Sequence, residues 1–221
     1  MLKAVFTDFY GTLVHEDGDI VKQICNEIFI TGNAVDRTQI GSYWQHEFQK
    51  LTRNAFGENF MTQREIELQS LIKTTEKFQS SANAEELSEM LFTHWVRPPS
   101  FEDARDFFEH SPLPVYIVSN IDRADLLKAI EFNGFAPAGI FTSEDAKAYK
   151  PRREIFELAL KSIGINAHEA VHIGDSFSSD VKGALAAGIN AVWLNRSKRE
   201  VPKGIAAAEN LTEFWNTRFF K

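Results

Sequence analysis

The chain has 221 residues, 43% of them hydrophobic and 25% charged, with a net charge of −7 at pH 7. That length holds one large domain, or a core with a smaller insert, and the composition is ordinary for a soluble globular protein. No basic excess exists to release counterions, which excludes a nucleic-acid binder working by phosphate neutralisation, and no stretch approaches the ~18 apolar residues of a membrane span.

The N-terminus opens on a strand over residues 2–9 with no apolar leader run, so a cytoplasmic protein is expected. Lys3-Ala4-Val5-Phe6-Thr7 is a short strand-forming run that ends on the carboxylate of Asp8. Residues 16–96 then read as helix after helix. Residues 20–30 are amphipathic and carry the single cysteine, Cys25, which reads as a packed thiol and rules out an intramolecular disulfide. Asp36 is placed to cap a helix through Tyr43, Trp44 and Phe48. Helices over 62–78 and 83–95 follow, with Asn83 and Glu86 spaced as a capping box. Pro98-Pro99 ends this block.

The pattern then changes. Strands are predicted at 113–119, 139–142, 170–174 and 191–194. Between them fall helices at 124–133 (closed by Gly134), from Pro151 through Leu160, and at 180–187 (closed by Gly188). Strands alternating with helices of about ten residues imply right-handed crossovers and a parallel sheet. The fold class is therefore α/β, split after its first strand by a helical insert. Most of the nineteen phenylalanines are expected in the packing of these layers.

Reactive groups of such sheets collect at the carboxyl ends of the strands. Here those ends carry Asp8, Ser119-Asn120 and Asp175, with Lys150 just ahead of a helix. Asp8 is either a turn cap or a nucleophile steadied by a cation and a hydroxyl. Gly11 permits a tight turn after it. Ser119 and Asn120 suit a turn, or the binding of anionic oxygens. Lys150 either starts a helix with Pro151, or holds Asp8 ionised and offsets developing charge. Gly174-Asp175-Ser176-Phe177-Ser178-Ser179-Asp180 sets two acids five residues apart beyond an apolar strand. Hard divalent ions take carboxylate ligands, which Asp8 and Asp175 would supply. Asp180 is a ligand, a support for one, or an acid favoured at a helix N-terminus. Ser176 and Ser178-Ser179 read as caps, His172 as a packed strand residue and Glu144-Asp145 as surface acids. Tyr43, Trp44, Phe48 and Phe56 either pack the insert or line a substrate space.

In this order, residues 8–13, Ser119-Asn120, Lys150-Pro151 and residues 174–180 resemble the four motifs of the haloacid dehalogenase superfamily. The resemblance implies a Rossmann-like parallel-sheet core of three α/β/α layers (residues 1–15 and 97–221). It implies an inserted α-helical cap of the C1 type (residues 16–96), able to open and close over the site on hinges near residues 14–16 and 96–99. It further implies Asp8 as nucleophile, supported by Ser119 and Lys150, and Mg²⁺ held by Asp8, Asp175 and the main-chain carbonyl of Tyr10, with Asp180 a further candidate ligand. Gly11, Thr12, Ser119, Asn120 and Lys150 would surround the substrate.

Four positions depart from the family's patterns. Its phosphatases carry an acid two residues after the nucleophile, which protonates the leaving oxygen; here that residue is Tyr10, as in its dehalogenases, whose departing halide needs no proton. Against a dehalogenase, the fourth motif has Asp175 and Phe177 where those metal-free enzymes have Ser and Asn, and Phe156 stands where they have a tyrosine. Two carboxylates without a cation between them are costly, and a metal suits a phosphate. A Mg²⁺-dependent phosphatase acting on a small phosphorylated molecule is the favoured expectation. The alternatives are a 2-haloacid dehalogenase, with Arg37 as the cation for a substrate carboxylate, and a binding protein without activity.

Overall fold

A computed structural model describes residues 1–220. The chain runs β1 (Ala4–Thr7), α1 (Gly18–Thr31), α2 (Arg37–Asn54), α3 (Gln63–Lys77), α4 (Ala84–Val96), α5 (Ala104–Glu109), β2 (Val115–Ser119), α6 (Arg123–Asn133) and β3 (Gly139–Thr142). It continues through α7 (Ser143–Ala146), α8 (Glu154–Ile163), β4 (Ala170–Gly174), α9 (Lys182–Ala186), β5 (Asn190–Leu194), β6 (Ala206–Ala208) and α10 (Leu211–Phe214). The six strands pair in parallel in the order β3-β2-β1-β4-β5-β6. After β3 the chain crosses back over β1 to lay down β4, so the strand order reverses between β1 and β4. In open α/β sheets that reversal opens a crevice at the carboxyl edge.

Side chains alternate across the sheet with period two. Val5, Ile117, Val171, Ile173 and Val192 share one cluster with Phe107 of α5, Leu126 of α6 and Phe214 of α10. Ala4, Phe6, Val118, Ala191 and Trp193 face the opposite way, onto Ile155, Phe156 and Ala159 of α8 and Ala184 of α9. The sheet is thus covered on both sides, in three layers. Phe6 and Phe156 are wholly buried, and each contributes on the order of 1.5–3 kcal/mol from burial.

The insert holds together as four packed helices. Ile24, Cys25 and Ile28 bury one stripe of α1. Asp36 caps α2 through the amide of Gln39. The reciprocal capping box lies at α3, between Thr62 and Glu65; at α4, Asn83 accepts from the amides of Glu85 and Glu86. The first apolar cluster continues from the sheet through Phe9, Leu13 and Val14 into Ile24, Trp44 and Trp95 of the insert. Polar contacts also cross. The Asp122 carboxylate, on the sheet side, accepts from the amides of Gln63 and Arg64 at the start of α3 (2.7 and 3.0 Å). Arg64 in turn grips Asp125 with two bonds of 2.7 and 2.8 Å.

Two helix starts differ from the sequence reading. α8 begins at Glu154, three residues after Pro151, because residues 150–153 form a turn with the Arg152 amide on the Tyr149 carbonyl. Residues Phe177–Val181 make a π-helical turn ahead of α9, capped by Ser176 on the amide of Ser179. That wide turn aims Asp180 back at the sheet. Gly174 is required beneath it, since a Cβ there would collide with the Asp180 carboxylate. The short elements α5, β6 and α10 have no counterpart in the sequence reading.

Candidate active site

Asp8 follows β1 directly, and its amide donates to the Ile173 carbonyl of β4 at 2.9 Å. This register puts Asp8 beside Gly174 and Asp175 at the crevice. β2 flanks the other side and delivers Ser119, whose Oγ donates to Asp8 Oδ1 at 3.0 Å. Lys150 Nζ donates to the same Oδ1 at 2.7 Å, to Asp180 Oδ1 at 2.6 Å and to the Val118 carbonyl at 2.8 Å. All three ammonium protons are thereby used. Asp8 Oδ2 has no hydrogen-bond partner among the described residues, and Asp8 lines a cavity of about 740 Å³. Both of those side-chain bonds fall on Oδ1.

Asp175 stands across from Asp8. Thr12 Oγ1 accepts from the Asp175 amide at 3.1 Å and donates to its Oδ1 at 3.3 Å. Gly11, at φ +78°, comes so close that a Cβ there would lie 2.7 Å from the Asp175 carboxylate. The carboxylates of Asp8, Asp175 and Asp180 each offer an oxygen within 4.8 Å of the others. Burial first, then the charges of Asp8, Asp180 and Glu16, push Asp175 up to about 8. Burial also raises Asp8, although Lys150 pulls the other way. For Asp180 burial acts in the same sense, but Lys150 and His172 overcome it and hold the carboxyl below its ordinary range.

Asp180 is otherwise engaged. Its Oδ1 takes Lys150 and, at 3.0 Å, Nε2 of His172; its Oδ2 takes the amide of Ser176. His172 is packed in the strand, edge-on to Phe156, and also supports this carboxylate; its Nδ1 has no partner among the described residues. Asn120 lines the cavity, but its amide spans the main chain of Lys150, accepting from N at 2.7 Å and donating to O at 3.1 Å. Asn120 and Asp180 both act on the lysine. Thr12 is wholly buried and serves Asp175.

Other expected positions fall elsewhere. Arg37 lies outside the cavity: it is exposed, donates to Asn26 Oδ1 and stacks on Phe29 of α1. Glu144 and Asp145 are the surface acids they read as, and both bind Arg123. Trp44 and Phe48 line the cavity, whereas Tyr43 packs on Phe78 and Phe56 carries Arg152. The Tyr10 hydroxyl is turned to the insert, where it donates to the Trp95 carbonyl at 2.6 Å.

Three further acids, Glu16, Asp17 and Glu67, line the cavity from the insert. Sequence reasoning missed them because acids in an amphipathic helix or a polar loop read as solvated. Burial, then Asp17, pushes Glu67 up to about 8. The folded state therefore keeps a proton that the unfolded chain releases near pH 4.5. Stability from this group is complete below that pH and is lost as the pH rises towards 8. Glu67→Gln should flatten the fall in melting temperature between pH 5 and 8; parallel curves for the two proteins would mean that Glu67 ionises freely.

A family model described as haloacid dehalogenase-like hydrolase matches residues 2–188. The chain belongs to this family. Among curated relatives of this HAD-like hydrolase, phosphoserine phosphatase of Thermus thermophilus is 30% identical over 123 residues, 52% of this chain and 49% of that protein. Pyrimidine 5'-nucleotidase YjjG of Escherichia coli is 38% identical over 65 residues, 29% of each protein. The chain thus spans half or less of the length of these relatives. Among solved structures, the L-2-haloacid dehalogenase of Xanthobacter autotrophicus superposes with a TM-score of 0.74 at 17% identity, covering 97% of each chain. Magnesium-bound YfnB of Bacillus subtilis gives 0.74 at 22%, again covering 97% of each. Identities this low show a shared fold. Phosphatases and dehalogenases both stand among the matches.

Proposed function

We propose that this HAD-like hydrolase cleaves phosphoric esters or anhydrides of a small molecule, with Asp8 as nucleophile and Mg²⁺ beside it. The observation that carries this reading is Asp175. It is mostly buried, faces Asp8, and its side chain bonds no cationic group among the described residues. Two such carboxylates at close range ask for a hard divalent ion. Asp175 fits as a direct ligand, since its carboxylate bonds only Thr12, and Asp8, across from it, would be the second. Asp180, with both oxygens engaged, fits better as the anchor of Lys150. When bound, the ion would neutralise phosphate charge next to the nucleophile.

Ser119 and Lys150 fix Asp8 Oδ1, so that Oδ2 attacks phosphorus in line with the leaving oxygen. The new Oδ2–P bond forms as the bond from phosphorus to the leaving oxygen breaks, giving an aspartyl phosphate. Water then attacks phosphorus, frees inorganic phosphate and restores Asp8. Residues 16–96 act as a cap over this chemistry.

Tyr10 occupies the place of the usual acid and is engaged with Trp95, and burial raises its pKa well above its ordinary value. The leaving group must depart with little help. Aryl phosphates should therefore be hydrolysed about a hundredfold faster than alkyl phosphates, the worth of a missing general acid. Tyr10→Asp should raise alkyl-phosphate turnover on the order of tenfold. Equal wild-type rates on p-nitrophenyl phosphate and a sugar phosphate would remove this account.

Tyr10 also favours a second reading, carbon–halogen hydrolysis, because a departing halide takes no proton. The cavity speaks against it: it presents no arginine to a substrate carboxylate. One pair of assays separates the two. Phosphate release should require Mg²⁺ and stop in EDTA, and 2-chloropropionate should release no chloride. Chloride release in EDTA would overturn the phosphatase reading.

A further inference from the structure

The two ends of the cavity differ in charge balance. At the sheet edge, three carboxylates face Lys150 and the proposed divalent ion. On the insert side stand Glu16, Asp17 and Glu67, and among the described residues no lysine or arginine other than Lys150 lines the cavity. Lys150 cannot serve them, since its protons are already placed.

These acids are held in position. Trp95 Nε1 donates to Asp17 Oδ2 at 2.9 Å, and Trp44 Nε1 donates to Glu67 Oε1 at 2.8 Å. Glu67 is only 6% exposed and lines the cavity, yet its Oε2 has no partner among the described residues. That oxygen is reachable from the cavity, and a cationic donor on a ligand would give it a charge-assisted hydrogen bond. Both indoles also border the cavity, and indole faces attract organic cations. A substrate ending in a carboxylate would meet acids here and no free cation among the described residues. One with a neutral alkyl tail would leave Glu67 unanswered.

We infer that the substrate carries a cationic amine at the end remote from its phosphate, seated against Glu67 and Asp17 beside Trp44 and Trp95. The inference rests on the phosphatase reading for the other end of the molecule. Burial and Asp17 both disfavour the ionised Glu67, which is the strain an ammonium group would relieve.

The test compares ω-aminoalkyl phosphonates of two to five carbons with n-alkyl phosphonates of matched length. Binding is measured by calorimetry on the magnesium-loaded full chain, and turnover is measured on the corresponding phosphates. At the best length the amine should bind about tenfold tighter or more, the scale of a charge-assisted hydrogen bond. That ratio should fall towards one in Glu67→Gln. If that variant does not fold, Asp17→Asn carries the same expectation, and the ratio within each protein cancels any general loss of affinity. Equal binding of amine and alkyl ligands at every length would overturn the inference. So would a preference unchanged in both variants. An amine preference with no turnover of any phosphate would sink the phosphatase reading and leave the amine site standing.

Discussion

Lys150→Met should abolish turnover and cost about 3–5 kcal/mol of folding stability, the penalty for breaking a buried ion pair from one side. Lys150 is 4% exposed and bridges Asp8 and Asp180 at 2.7 and 2.6 Å. Burial alone would lower its pKa, but the two carboxylates outweigh that and raise it, so it stays charged at any working pH. Methionine keeps much of the volume and removes the charge. Asp8 and Asp180 would then face each other near Asp175 with no protein cation between them. Urea unfolding gives the stability change, and phosphate release gives the activity. A second substitution separates charge from packing. Adding Asp180→Asn should recover part of the lost stability, because it removes one orphaned carboxylate, and recover no activity. Wild-type stability in Lys150→Met would show that the three acids are neutral without the lysine.

Asp8→Asn should move activity and stability in opposite directions. Turnover should fall by about a thousandfold or more, since an amide oxygen is a poor nucleophile and the covalent route is lost. Stability without metal should hold or rise. Asp8 is strained in the folded state, its carboxyl raised first by burial and then by Asp180, and it also raises Asp175. Asparagine removes that repulsion and can still accept from Ser119 and Lys150 through its carbonyl oxygen. The shift of melting temperature on adding Mg²⁺ should shrink in the same variant, because one proposed ligand has lost its charge. Scanning calorimetry with and without Mg²⁺ checks both points. A variant with wild-type turnover would remove Asp8 as nucleophile. One markedly less stable than wild type in EDTA would show that the ion pair with Lys150 outweighs the repulsion.

Some of this site was legible before any coordinates. A short apolar, strand-forming run that stops on Asp8, and another that stops on Gly174-Asp175, put two acids at strand tips. Alternating strands and helices put those tips on one edge. Asp36 and Asn83 mark helix starts because a cap is a local bond, made within three residues. The short pieces α5, β6 and α10 were not legible. Four to six residues hold too little periodicity, and the alanines of β6 have no strand preference of their own.

The order of the elements, the place of the helical insert and the side chains that end the strands can be read along the chain, because each follows from local periodicity and backbone sterics. What those side chains do to one another comes from the packing of the folded chain. Asn120 and Asp180 act on Lys150, thirty residues away from each. Arg37 turns to α1, and Glu67 turns into the cavity. These outcomes depend on the angle at which one helix packs on the next. Charge balance in a buried space is a sum over groups that the chain brings together from a hundred residues apart.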